Sequence, residues 1–189
     1  ATLRGVAAAP GVAVGALVHL RHDDEPPAGP VGDVAAERRA LDVALGAAHR
    51  ELDELRDRLA READADRAKN FGAHQELLAD PEVVDAAVAG IARGVGAAAA
   101  WRQAYVAQAE RLVALRSPLL AARAIDLRDV GRRVLRLLGG ASTGAAPALP
   151  AEARVLAEEL TPSDVATLDR TRVRGLATTS GSETSHVAI

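Results

Sequence analysis

Of the five histidines in this chain, His186 alone falls where a strand is expected to hand over to the start of a helix. Free backbone N–H groups and the positive end of the helix dipole favour an anion at such a position. The hydroxyls of Thr184 and Ser185, immediately before it, add donors for phosphate oxygens. A neutral imidazole keeps a nucleophilic lone pair on one ring nitrogen at cellular pH, so these residues are equipped to take a phosphoryl group onto the ring. Taken alone, Thr-Ser-His is a short signal, and a surface or capping histidine accounts for it at least as well. His19 closes an apolar stretch and His22 opens an acidic, proline-rich one, and both are expected in solvent, while His49 borders an apolar helix seam. His74 lies in Phe71-Gly72-Ala73-His74-Gln75-Glu76-Leu77-Leu78, on a short helix with the only Phe of the chain. No pair of histidines has metal-ligand spacing with a nearby carboxylate, so no metal centre is expected. No glycine-rich loop ends in Gly-Lys-Ser/Thr, which argues against a nucleotide kinase.

The elements that must position these residues belong to a globular chain. Its 189 residues are 49% apolar and 26% charged with a formal net charge of −3, enough for one large domain or two small ones. Arginines alternate with carboxylates, as in Glu51-Leu52-Asp53-Glu54-Leu55-Arg56-Asp57-Arg58, so no stripe of one sign forms and no nucleic-acid partner is expected. The chain has no cysteine, which excludes a disulfide framework, a thiol nucleophile and a Cys-ligated zinc. It has no apolar run of about twenty residues, and Ala1-Thr2-Leu3-Arg4 lacks the basic start and apolar core of a signal peptide. A soluble, cytoplasmic chain without a membrane partner is the expectation. Methionine is absent, an initiator included, so the chain is expected to be part of a longer gene product.

Three regions follow from the patterning. Leu3 to Leu20 is rich in Gly, Val and Ala and is divided by Pro10-Gly11; Val12, Val14 and Ala16 alternate with other apolar residues, predicting a buried strand. Pro26, Pro27 and Pro30 then mark a linker. From Asp33, an N-cap candidate, to about Gly140 the period is helical, with Leu41, Leu45, Ala48, Leu52, Leu55 and Leu59 forming one seam. Further helices are predicted over 68–78, 81–93, 97–116 and 118–138, with Pro81 and Pro118 in first turns and Gly94, Gly96 and Gly139-Gly140 as stops. The many alanines imply close helix approach in a bundle. After a Gly/Ala/Ser/Pro stretch, a strand at Arg154–Ala157, a capped helix from Thr161 to about Thr171 and a strand at Val173–Thr178 make a βαβ pattern. The helical block thus interrupts an α/β domain that begins at the N-terminus.

Several separated segments, in matching order and spacing, resemble enzyme I of the bacterial phosphoenolpyruvate:sugar phosphotransferase system. They are Arg4 to Gly15, Phe71 to Pro81, Asp126 to Leu135, Leu160-Thr161-Pro162-Ser163-Asp164 and Thr184-Ser185-His186. The resemblance implies an α+β or α/β chain: a swivelling phosphohistidine α/β domain, residues 1–21 and 148–189, interrupted by an inserted all-α bundle, residues 33–140. It implies that His186, assisted by Thr184 and Ser185, accepts a phosphoryl group from phosphoenolpyruvate and passes it to the carrier protein HPr, in sugar uptake. It also implies that HPr docks on the bundle, at a face including His74, Leu77, Glu82 and Asp85. In that family a C-terminal barrel binds phosphoenolpyruvate and magnesium and forms the homodimer. This chain stops at Ile189, so alone it is expected to need no metal and to exchange phosphate only with phospho-HPr.

Two positions depart from the family pattern. A Gly-Gly pair usually precedes the variable residue before Thr-Ser-His, whereas Gly181 is followed here by Ser182 and Glu183, which restricts the turn and sets a carboxylate near the phosphate. Val165 stands where a threonine commonly hydrogen-bonds the resting histidine. Slower transfer is the expected consequence. Paralogues serving nitrogen regulation or dihydroxyacetone phosphorylation, and fused multiphosphoryl transfer proteins, share these motifs. A pyruvate phosphate dikinase or phosphoenolpyruvate synthase fragment would lack the bundle. A non-catalytic helical interaction module with a structural His186 is the alternative from a different class.

Overall fold

Asp33 opens the first long helix, α1 (Val34–Arg61), by accepting a hydrogen bond from the Ala36 N–H at 2.7 Å. A computed structural model describes residues 5–22, 25–26, 31–61, 65–140 and 149–179, with side chains except at 59 and 65–71. The chain divides into two compact units, Ala1–His22 with Ala145–Ile189, and Asp23–Gly144.

The second unit holds α1, α2 (Ala65–Leu78), α3 (Pro81–Ala92), α4 (Ala97–Ala114) and α5 (Pro118–Leu138). Local chemistry sets the boundaries. Asp80 caps α3 by accepting from the Glu82 N–H at 3.0 Å, and Pro81 and Pro118 occupy first turns, where a missing N–H costs nothing. Gly94 at φ +86° and Gly140 at φ +75° adopt the left-handed conformation past helix ends, whereas Gly96, predicted as a stop, is the N-cap of α4. Gly96 has no side chain to cap with, and Glu37 of α1 supplies the acceptor. One Glu37 oxygen takes the Gly32 N–H and the other takes the Ala97 N–H, each at 2.6 Å.

The α1 seam is buried at Leu41, Ala44, Ala48, Leu52 and Leu55, with Leu45 half-buried. Small residues permit the approach of helices, as where Gly90 faces Ala100 and a Cβ would meet it at 3.0 Å. Trp101 and Tyr105 also enter this core, their ring centroids 6.3 Å apart. The Trp101 Nε1–H donates to the Gly131 carbonyl at 2.9 Å, and a Cβ on Gly131 would come within 2.5 Å of the Tyr105 ring. Gly131 is therefore the notch that admits the aromatic pair.

The first unit is built on a parallel sheet of order β1 (Leu17–Leu20), β2 (Ala153–Ala157), β3 (Val173–Thr178), with α6 (Pro162–Thr167) between β2 and β3. Central β2 alternates buried Ala153, Val155 and Ala157 with half-buried residues. Leu149, Ala153, Val155 and Leu168 form its core, with Val18, Leu20 and Val173 packed on them. Two expectations are corrected. Val12 and Val14 are not in a buried strand but are 94% and 78% exposed. The ladder to β1 stops because β2 begins at Ala153: just before it Glu152 turns at φ +56°, and a Cβ on Gly15 would meet the Glu152 carbonyl oxygen at 1.8 Å. Helix α6 ends at Thr167 rather than near Thr171, because Leu168 turns to an extended conformation and is buried in the core. Asp169 then accepts from the Thr171 N–H and hydroxyl at 3.0 and 2.6 Å, an Asx turn that competes with helix.

Candidate functional site

The register of the sheet places Leu20, Ala157 and Thr178 in one row across its carboxyl edge. In α/β sheets that edge, where the strand-to-helix turns gather, is where ligands bind. Three segments leave it: Arg21-His22 after β1, 158–161 after β2, and Thr179 after β3, whose N–H donates to the Ala157 carbonyl at 3.1 Å. The candidate nucleophile His186, with Thr184, Ser185, Ser182 and Glu183, lies outside the described residues.

The turn after β2 is a capping box. The Asp164 N–H donates to Thr161 Oγ1 at 3.2 Å, and Asp164 Oδ2 accepts from the Thr161 N–H at 2.7 Å and its hydroxyl at 2.9 Å. Thr161 is buried, and Pro162 begins the helix. Val165 is half-buried in the first turn of α6 and carries no hydroxyl.

His22, expected in solvent, instead places Nε2 at 2.9 Å from Asp164 Oδ2. Burial works against the charge on Asp164, but the hydrogen bond and charge of His22, with the hydrogen bonds of Thr161, outweigh it. The carboxyl titrates below the ordinary aspartate value. The capping box was readable from spacing alone. The partnership with a residue 142 positions away leaves no trace in a sequence pattern.

In the helical unit the four docking candidates separate. His74 and Leu77 are 1% and 3% exposed, so their side chains are interior and are not offered to a partner. Their helix turns them inward against α5: His74 Nε2 stands 3.3 Å from Asp126 Oδ1 and Nδ1 stands 3.6 Å from Asp129 Oδ2. Glu82 and Asp85, on α3, are exposed. Glu82 Oε2 accepts from Gln108 at 2.7 Å and lies 3.6 Å from Arg111. The Asp126–Asp129 pair facing His74 was not foreseen, although its three-residue spacing on α5 would have shown that both carboxylates share a face. Among the described residues no group of three or more His, Asp or Glu could hold a metal ion, and no helix is long and apolar enough to cross a membrane.

Residues 4–123 match the family described as PEP-utilising enzyme, N-terminal, and residues 150–189 match PEP-utilising enzyme, mobile domain. A multiphosphoryl transfer protein of Rhodobacter capsulatus is 43% identical over 188 residues, covering all of this chain and 23% of that protein. A phosphoenolpyruvate-protein phosphotransferase of Haloferax volcanii is 37% identical over 191 residues, covering all of this chain and 34% of that protein. The chain thus spans about a quarter to a third of these relatives. An NMR solution structure of Enzyme I superposes with a TM-score of 0.68 at 31% identity, over 99% of this chain and 77% of that one. The N-terminal domain of nitrogen Enzyme 1 gives 0.60 at 29% identity, over 96% and 75%.

Proposed function

Since this chain belongs to the PEP-utilising enzyme family, we propose that it is the phosphohistidine and partner-docking portion of a phosphoenolpyruvate-protein phosphotransferase. The observation that carries this reading is the mobile-domain match over 150–189, a single span containing both Leu160–Asp164 and Thr184-Ser185-His186. Its finer form is a helical insertion, residues 33–140, within a swivelling α/β domain.

In the proposed reaction a ring nitrogen of His186 attacks the phosphorus of phosphoenolpyruvate. An N–P bond forms as the P–O bond breaks, and the departing enolate takes a proton to become pyruvate. A histidine nitrogen of HPr then attacks the same phosphorus, the His186 N–P bond breaks, and His186 regains its lone pair. Backbone N–H groups and the hydroxyls of Thr184 and Ser185 offset the charge on the phosphoryl oxygens. Ser182 restricts the turn, Glu183 opposes that charge and Val165 offers the resting imidazole no hydroxyl, so transfer is slower than in relatives with glycine at position 182 and threonine at position 165. Magnesium-dependent loading from phosphoenolpyruvate and homodimer formation belong, in this reading, to parts of the longer relatives that this chain does not match. A cytoplasmic location fits such a relay. HPr meets the exposed carboxylates Glu82 and Asp85 rather than the buried His74 and Leu77.

Identities of 43% and 41% to multiphosphoryl transfer proteins favour a version in which this chain is one module of a fused relay. The nitrogen-type and dihydroxyacetone-type relays use the same chemistry. The test is incubation with ³²P-labelled phospho-HPr, comparing wild type with His186→Ala. Acid-labile label on the wild type alone is expected, and equal labelling of both, or of neither, rejects the reading. In a separate chemical-shift titration Glu82→Lys and Asp85→Lys should weaken HPr binding, and unchanged affinity moves the docking face elsewhere.

A further inference from the structure

Asp164 would be complete as a capping residue with its two bonds from Thr161, yet its Oδ2 also lies 2.9 Å from Nε2 of His22, outside its own turn. The carboxyl titrates below its ordinary value, so at neutral pH it is ionised and can only accept. Nε2 therefore carries the proton of this pair, and the neutral ring has its lone pair on Nδ1. Among the described residues Nδ1 takes part in no hydrogen bond, and it is not sealed from solvent. A carboxylate on one ring nitrogen fixes the tautomer and raises the basicity of the other, which is how a histidine is made a nucleophile. The other described histidines lack the combination. His19 offers Nδ1 to Arg21 Nε at 3.3 Å, and neither it nor His49 has a carboxylate partner among the described residues. His74 meets two carboxylates but is 1% exposed. His22 also stands two residues past the end of β1, on the carboxyl side of the sheet where α/β proteins take ligands.

We propose that His22 and Asp164 form a second nucleophilic site, in which Nδ1 of His22 accepts a phosphoryl group from a small acyl phosphate. The two side chains are 19% and 18% exposed, which admits a small donor rather than a protein surface. Asp164 supplies an acceptor and not an acid, so the donor must carry a leaving group that departs unprotonated, as the carboxylate of an acyl phosphate does. In the step Nδ1 attacks phosphorus, an N–P bond forms as the P–O bond to the acyl group breaks, and the carboxylate leaves with the electron pair. Nε2 keeps its proton, the ring gains one positive charge, and the Asp164 carboxylate offsets that charge across the existing hydrogen bond. No atom of His186 enters this step, so the site stands or fails separately from the phosphohistidine reading above.

The experiment incubates wild type, His22→Gln, Asp164→Asn and His186→Ala with ³²P-labelled acetyl phosphate. Tandem mass spectrometry locates the label, and ³¹P NMR shows which ring nitrogen carries it. His22 should be labelled on Nδ1, about tenfold faster than the exposed His19 of the same segment, since a carboxylate behind a histidine is worth at least that much. Asp164→Asn should slow labelling of His22 by about 10- to 100-fold and leave His19 unchanged. His22→Gln should carry no label at position 22, and His186→Ala should be labelled at His22 as the wild type is. Labelling of His22 no faster than of His19, label on Nε2, or a folded Asp164→Asn protein labelled at the wild-type rate each overturn the proposal. Should Asp164→Asn fail to fold, the ratio of His22 to His19 and the identity of the labelled nitrogen in wild type still decide. A chain labelled at His22 by acetyl phosphate but not labelled by phospho-HPr keeps this site and defeats the phosphohistidine reading, and the converse result does the opposite.

Discussion

The helical unit has a core of large, fully buried side chains, whereas the described part of the α/β unit has a small core centred on β2. Leu41, Leu52, Trp101, Leu127 and Val134 are fully buried among the helices, while burial in the sheet gathers on β2; each unit also exposes single large apolar side chains, such as Val43, Leu115 and Leu119 in the helical unit and Val12, Val14 and Leu176 around the sheet. One unit is held by depth of burial, the other by strand pairing, caps and a few close backbone approaches. Burial tolerates surface change and punishes core change, while a small sheet depends on individual hydrogen bonds and on glycines that let the backbone pass.

Breaking the first kind of support should produce the largest effect. Trp101→Ala removes a fully buried ring and the donor to the Gly131 carbonyl, and should cost the helical unit about 3–5 kcal/mol in denaturant unfolding followed by far-ultraviolet circular dichroism. A loss under about 1 kcal/mol would mean that the helices do not form one cooperative core. In the sheet, Gly15→Ala drives a methyl group into the Glu152 carbonyl and should cost about 1–3 kcal/mol, read from amide exchange in β1 and β2. Unchanged protection there would show that the Gly15–Glu152 approach does not support the ladder.

The smallest effect sharpens the comparison through pH. The carboxyl of Asp164 titrates lower in the fold than its ordinary value of 3.8, so its contribution is fully present above that value and is lost as pH falls through the folded-state value. Asp164→Asn should lower α/β-unit stability by about 1 kcal/mol at neutral pH and flatten the loss below about pH 4. The helical unit should respond to neither change. A variant with the wild-type acid profile would remove Asp164 as the titrating group.

The same contrast explains what the sequence disclosed. Pro81, Pro118, Asp33, Asp80 and the Thr161–Asp164 box act within a few residues, and the helix starts they mark are where the pattern predicts them. Contacts that join distant segments were invisible to period and propensity: His22 with Asp164, Trp101 and Tyr105 at Gly131, and His74 between two aspartates. The N-terminal segment misled because its alternation is apolar on both faces, which specifies extended backbone but not a partner strand, and a ladder exists only where β2 runs beside it. For the turn after β2, the Thr161–Asp164 box was legible from spacing, while its partnership with His22 required the fold.

The pairing of Leu17 with Arg154 gives the two units different timetables during synthesis. A nascent chain presents β1 first, and its partner β2 is made only after every residue of the helical unit has been added. Helical contacts are mostly local and form fast, whereas a parallel pair must close the whole intervening length. The helical unit can therefore collapse while β1 still waits, and its collapse shortens the span that the sheet must bridge. The order of the chain makes the later-completed unit dependent on the earlier one for its rate of assembly, even though each has its own core.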